Sequence, residues 1–258
     1  MVNFKELLSL QNPSALLREL YESGVLAEVS PELVALDIND KHSHKHKNNF
    51  FHSLQVLDQA IAAEGTSVDI ILRTAALFHD IGKPASRKIE SDGDVTFQQH
   101  ETIGARMMKR MLKPHGYSLE EIKLIEELIA NHMRSYGFTE ELWTDSAVRR
   151  FTSDISTDVQ LSRLLVLFKA DVTTKHANKR NAVFSKVDAL ARRIEEVRTA
   201  DALLSRRPAI NGNELMEIFD LKPGRELGTL MKFLNTEKGL ALSREEALEQ
   251  IKVLLATN

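Results

Sequence analysis

Six residues combine a chemically capable side chain with an unexpected position: His52, His79, Asp80, His100, His132 and Asp171. Five helical stripes that should carry only apolar residues carry one of them instead. His79 continues the face of Leu72, Ala75 and Ala76, and Asp80 follows it directly. His132 continues Ile125, Leu128 and Ile129, and Asp171 continues Leu161, Leu164 and Phe168. His52 shares a stripe with Val56, Ala60 and Ala63, and His100 leads one that includes Gly104, Met107 and Met111. A carboxylate buried alone is costly, so such groups need partners. A divalent cation shared among them satisfies charge and lone pairs together. Each position alone has a plainer account: a satisfied core histidine, or an aspartate paired with an arginine. Five repetitions of one feature point to a common site.

The run HDIGK sharpens this reading. Adjacent His79 and Asp80 reach one metal only from a helix end or a kink. Gly82 is expected to let the chain turn there, and Pro84 to stop the helix. Lys83 emerges beside the site, either to hold a phosphate as a point charge or as a solvated loop residue.

The elements that must position these groups are almost all helical. Helical spacing covers about 13–23, 49–63, 68–80, 98–113, 119–134, 144–155, 158–175 and 182–204. Ser118 with Glu121 has capping-box spacing. Between Ile89 and Phe97, Asp92-Gly93 is a turn signal that predicts a short hairpin. Arg206-Arg207-Pro208 breaks the pattern, and three shorter helices follow near 211–219, 223–234 and 243–256. Asn211 with Glu214 and Ser243 with Glu246 have capping spacing. The expected fold is an all-α helical bundle with one small hairpin and a small C-terminal helical subdomain. The expected division is 1–204 and 205–258.

Composition narrows the chemistry. With no cysteine, disulfides and thiolate metal sites are excluded. Metals must be held by nitrogen and oxygen, which suits Mn, Fe, Co, Ni, Mg or Zn. A formal net charge of −3 means that any nucleic-acid contact must come from local patches. No apolar run approaches the roughly 20 residues of a membrane span, and the N-terminus lacks a signal-peptide pattern. No membrane partner and a cytoplasmic location are therefore expected.

His52, His79-Asp80 and Asp171 match the H…HD…D signature of the HD superfamily of metal-dependent phosphohydrolases, with His100 and His132 at the extra histidine positions of its two-metal variants. More closely, the chain resembles the C-terminal HD half of bacterial CCA-adding tRNA nucleotidyltransferases of the actinobacterial type. The runs HKNNFFHSLQVLDQA, LRTAALFHDIGKPASR, GDVTFQQHETIGARMMKRML, NHMRSYGF, WTDSAVRRF and RRPAINGNELMEIFDLKPGRELG carry that resemblance over about 13–258. The Gly-Ser and paired-Asp motif of the nucleotidyltransferase head is absent from these residues, so the resemblance does not imply CCA addition. It implies a free-standing HD domain with an RNA-binding tail, and 2′,3′-cyclic phosphodiesterase, nucleotidase or phosphatase activity.

The mechanism expected from this is metal-assisted hydrolysis of a phosphomonoester or phosphodiester of a nucleotide, cyclic nucleotide or RNA end. One ion is expected on His52, His79, Asp80 and Asp171, and a second, sharing Asp80, on His100 and His132. Asp80 and Lys83 carry the catalytic roles, and Lys83, Arg87 and Arg134 grip the phosphate. The competing expectation is a binding module: an RNA-holding tail or partner subunit of a split tRNA nucleotidyltransferase. A dNTP or (p)ppGpp hydrolase on the same core is a third reading, which the tail resemblance disfavours.

Weaker signals are left open. His42, His44 and His46 suit either a metal clamp or a solvated basic loop. His115 and His176 carry no clear signal. Basic pairs such as Lys109-Arg110, Arg149-Arg150 and Arg192-Arg193 fit either the wet faces of amphipathic helices or an RNA-binding stripe. Tyr136 and Trp143 have rings able to stack on a base, and Trp143 equally suits a core.

Overall fold

The computed structural model describes residues 2–38, 48–139, 142–204 and 207–256. The triplet His42, His44 and His46 lies outside the described residues. Four short helices lead in: α1 (Phe4–Leu8), α2 (Pro13–Glu22), α3 (Val25–Val29) and α4 (Pro31–Val34). Then follow α5 (Asn49–Ala63), α6 (Ile70–Phe78), α7 (Lys83–Ser86), α8 (His100–Leu112), α9 (Leu119–Asn131), α10 (Asp145–Ser153), α11 (Asp158–Ala170) and α12 (Ala177–Leu204). Strands β1 (Lys88–Ile89) and β2 (Val95–Thr96) pair antiparallel between α7 and α8, with Ile89 opposite Val95. Gly93 sits at φ 85° in their turn, a left-handed conformation that favours glycine. The all-α fold class with one small hairpin is thus the observed one.

The chain divides into two compact units, Met1–Ala191 and Arg192–Asn258. The boundary between them lies inside α12, whereas the sequence pattern places one near 205. In the first unit α8 packs on α9, α6 packs on α5 and α9, and α11 lies against α5, α6 and α9. The core between them holds Leu54, Leu57, Leu77, Ile125, Leu128 and Leu164, all at most 1% exposed. The second unit comprises α13 (Gly212–Phe219), α14 (Arg225–Leu234), α15 (Glu237–Leu240) and α16 (Arg244–Ala256) around Ile210, Leu215, Leu230, Leu234, Ala247 and Ile251. No described helix is long and apolar enough to cross a membrane.

Local sequence sets most helix starts. The Asn48, Asp69, Thr144 and Thr157 side chains each accept from the amide three residues on, satisfying a donor the helix leaves unpaired. Ser118–Glu121 and Asn211–Glu214 are complete capping boxes. Helix ends depart from the expectation. The pattern predicts helices running to about 134 and 175, but α9 stops at Asn131 and α11 at Ala170. The hydrophobic stripe continues beyond each end while the backbone does not, so His132 and Asp171 become helix-ending residues.

Candidate metal centre

Three helix C-termini meet in one place. His79 ends α6, His132 ends α9 and Asp171 ends α11. The unpaired carbonyls of a helix C-terminus carry partial negative charge and favour a cation nearby. His100 opens α8, and His52 stands in the first turn of α5. All six residues expected as ligands are thereby brought together.

The ring orientations follow from local backbone. His79 Nδ1 lies 2.9 Å from the Ala76 carbonyl, His100 Nδ1 2.8 Å from Phe97 and His132 Nδ1 2.7 Å from Ile129. Each carbonyl sits three residues before its histidine. A carbonyl only accepts, so each Nδ1 carries the proton and donates it. With Nδ1 so engaged, each ring turns its Nε2 inward, the orientation a metal-binding histidine requires once that nitrogen gives up its proton. His52 Nδ1 lies 3.0 Å from Thr173 Oγ1.

Asp80 occupies the centre. Its Oδ2 is 3.3 Å from His79 Nε2 and 3.7 Å from His52 Nε2. Its Oδ1 is 3.3 Å from His100 Nε2 and 3.8 Å from His132 Nε2. Asp171 Oδ1 adds contacts of 2.9 Å to His52 Nε2 and 3.4 Å to His79 Nε2. Among the described residues, His52, His79 and Asp80 form one group able to hold an ion, and Asp80, His100 and His132 form another. The two groups share Asp80, one carboxylate oxygen facing each.

The donor set fits a divalent cation. His79 Nε2 is fully enclosed and has no hydrogen-bond partner, although carboxylates surround it. A buried unpaired nitrogen is unfavourable unless something fills the space before it. Mixed imidazole and carboxylate donors suit first-row divalent metals.

The electrostatics agree. Burial opposes protonation of His79, but the adjacent Asp80 and Asp171 carboxylates prevail and lift its pKa to about 10. Burial and the charge on His79 push His132 down to about 4. Burial works against ionisation of Asp80, yet His79 and His100 hold it well below the usual carboxylate range. Asp171 is likewise held low against its burial, chiefly by His52 and His79. Two ionised carboxylates in a buried cluster draw positive charge towards it.

Above the cluster opens a cavity of about 580 Å³ lined by His52, Asp80, Lys83, Phe97, Gln98, His100, Met133, Tyr136 and Asp171. Lys83 Nζ is 2.5 Å from Asp80 Oδ2 and 3.4 Å from Asn49 Oδ1. The other expected phosphate ligands lie elsewhere. Arg134 donates to Asp154 Oδ2 at 2.9 Å and packs 4.8 Å over the Phe151 ring, because an acid and an aromatic face bracket it away from the cavity. Arg87 lines a separate hollow with Ile89, Asp92 and Val95. Trp143 is half-buried and packs edge-on against Phe138 and Phe151. Sequence reasoning missed Thr173 behind His52, and Tyr136 as a donor to Asp171 Oδ2 at 2.8 Å. No local spacing signals either contact.

Close backbone packing holds the HD turn in register. Gly82 has an ordinary φ of −79°, so the expected turn is not what requires glycine. A Cβ there would lie 2.1 Å from the His100 carbonyl oxygen and 2.7 Å from the Gly104 nitrogen. Pro84 does not stop a helix but occupies the first turn of α7. Gln99, directly before His100, adopts φ 60°, a strained conformation for a residue other than glycine.

Residues 49–175 match the family model described as HD domain. Such domains bind divalent metals and belong to a metal-dependent hydrolase superfamily. The chain is 28% identical over 234 residues to a CC-adding tRNA nucleotidyltransferase of Thermus thermophilus, covering 90% of this chain and 50% of that protein. It is 25% identical to an A-adding tRNA nucleotidyltransferase of Deinococcus radiodurans, covering 84% and 48% respectively. A bifunctional uridylyltransferase/uridylyl-removing enzyme of Azospirillum brasilense is 28% identical over 63% of this chain and 18% of its own length. The chain thus spans about half the length of the tRNA nucleotidyltransferases it matches.

Proposed function

We propose that the HD domain of this chain hydrolyses a phosphomonoester or phosphodiester of a nucleotide, cyclic nucleotide or RNA end. One observation carries the reading: Asp80 presents one oxygen to the His52–His79 group and the other to the His100–His132 group. His52, His79, Asp80 and Asp171 would hold one divalent ion, and Asp80, His100 and His132 a second. Bound metal supplies an activated water and neutralises charge on the phosphoryl oxygens.

The chain's own residues do the rest. The four imidazoles, each tied through Nδ1, keep their Nε2 atoms converged. Tyr136 donates to the outer oxygen of Asp171 and leaves the inner one facing His52 and His79. Lys83, at the floor of the cavity, supplies positive charge for the phosphate. The enclosed lower cluster excludes bulk water and strengthens each of these interactions.

The relatives favour phosphate chemistry on a nucleic-acid or nucleotidyl group: two are named for acting on tRNA and one for removing uridylyl groups. The test is metal analysis of the purified chain. Turnover is then measured with Mn²⁺, Co²⁺, Ni²⁺ and Mg²⁺ on p-nitrophenyl phosphate, its bis-ester and 2′,3′-cyclic nucleotides. Hydrolysis that requires metal and disappears in His79→Ala and Asp80→Ala is expected. Undiminished turnover in both variants sinks the assignment. Salt-sensitive tRNA binding with neither metal nor turnover would favour the binding-module reading instead.

A further inference from the structure

The cavity is chemically two-sided. Its lower part is ionic, made by His52, Asp80, Lys83, His100 and Asp171. Its remaining lining is Phe97, Met133, Tyr136 and Gln98. A bare phosphate has no use for three large apolar side chains. Met133 is 38% exposed and Tyr136 is 60% exposed, so open apolar surface adjoins a buried charged centre. The ring of Tyr136 does not swing freely, because its hydroxyl donates to Asp171 Oδ2 at 2.8 Å. Phe97 is engaged differently: Lys83 Nζ lies 5.9 Å from its ring centroid.

The backbone on either side of Gln98 is anchored. The Phe97 carbonyl before it accepts from both His100 Nδ1 at 2.8 Å and the His100 amide at 3.3 Å. The residue after it, Gln99, is locked in the left-handed conformation. The turn that aims His100 therefore also places Gln98 at the cavity, a residue whose side-chain amide can both donate and accept.

Resting on the hydrolase reading above, we propose that Tyr136 and Met133 form a stacking platform for a nucleobase whose phosphate lies over Asp80 and Lys83, with Gln98 meeting the base's polar edge. A flat ring with a hydrogen-bonding rim, joined to an anion, matches both halves of the lining. A cavity of about 580 Å³ accommodates a mononucleotide. The hydrogen bond from Tyr136 to Asp171 sets the platform at a constant distance from the ionic centre. Tyr136 is thus the residue that separates nucleotides from other phosphate esters.

The probes are AMP and ribose 5-phosphate, which share the ribosyl phosphate and differ at the anomeric carbon, adenine against hydroxyl. Equilibrium binding of each is measured on the Mn²⁺-loaded chain, with initial rates on the same preparations. Wild type is expected to bind AMP about tenfold more tightly than ribose 5-phosphate, the scale of one base stacked on an aromatic ring. Tyr136→Ala is expected to erase that ratio. Tyr136→Phe keeps the ring and should keep the ratio, while any loss of the Asp171 contact weakens both ligands alike. Equal binding of the two probes by wild type overturns the platform, and this needs no variant to fold. An unchanged ratio in Tyr136→Ala also overturns it. A clear AMP preference without turnover of any phosphate ester supports the platform and sinks the hydrolase reading alone.

Discussion

Two clusters in the first unit bury charge, and they are satisfied in opposite ways. Arg73 and Glu64 have side chains only 4% and 8% exposed. The Arg73 guanidinium meets Glu64 through Nε and Nη2, and its Nη1 donates to the Leu8 and Leu10 carbonyls at 2.7 Å each. Every strong group there has a partner from the chain itself. Around Asp80 the chain supplies two carboxylates, four inward-facing Nε2 atoms and one lysine, and it leaves His79 Nε2 without a hydrogen-bond partner. The first cluster fastens α1 to α6. The second is incomplete as protein alone, and incompleteness at such burial marks a place for a ligand.

The sharpest way to break the comparison is to delete one member of each. Asp80→Ala is expected to lower metal-dependent hydrolysis by about 10³-fold, equivalent to about 4 kcal/mol, with helical circular dichroism retained. Arg73→Ala should act in reverse. Stranding Glu64 and two carbonyls destabilises the fold by about 3–5 kcal/mol, read by urea denaturation, while activity per folded molecule is kept. A variant of Arg73 that loses activity without losing stability would show that the two clusters are not separable in this way.

Metal addition sharpens the contrast further. A ligand present at about 100 times its Kd stabilises the folded state by about 2.7 kcal/mol. Mn²⁺ should raise the Tm of wild type and of Arg73→Ala, but not that of Asp80→Ala. EDTA should reverse the rise. Gly82→Ala tests the register between the HD turn and α8. Its new methyl group would meet the His100 carbonyl oxygen at 2.1 Å, so the two backbones must part. A displacement of about 1 Å at a reacting centre costs on the order of 10²-fold in rate, and overpacking costs about 1–3 kcal/mol of stability. Wild-type kinetics in that variant would mean that the contact is not what aims His100.

The smallest effect concerns His115, which lies outside both clusters. It packs edge-on against Phe4, and burial lowers its pKa. Below pH 6.5 the unfolded chain therefore binds more protons at this position than the folded one does. Its contribution to stability is complete above pH 6.5 and is lost as pH falls through that value towards the lower folded pKa. His115→Gln should flatten this part of the stability profile, measured by denaturation between pH 7.5 and 5.

Particular residues show how far local pattern reaches. The capping boxes at Ser118 and Asn211 were legible because their partners lie three residues away. The hairpin was legible from Asp92-Gly93 and the β-formers beside it. His52, His79, His100, His132 and Asp171 were legible because each interrupts a 3.6-residue apolar period, and Asp80 because it adjoins His79. The ends of α9 and α11 were not, since their hydrophobic periodicity runs on past His132 and Asp171. Nor was the fate of Arg134, whose partner Asp154 is twenty positions along the chain. Lys83 and Arg134 look alike in sequence, and only one lies at the cavity.

The sequence by itself determined that His79 would be buried with Leu72, Ala75 and Ala76, and His132 with Ile125, Leu128 and Ile129, because periodicity is a local property of the helix. It also determined the absence of thiolate chemistry and the helical class. The tertiary structure alone decided that three helix C-termini converge, that Asp80 turns one oxygen to each histidine pair, and that Tyr136 braces Asp171. Those relations depend on how distant backbones cross, at contacts such as Gly82 against Gly104, and no repeat along a single helix encodes a crossing.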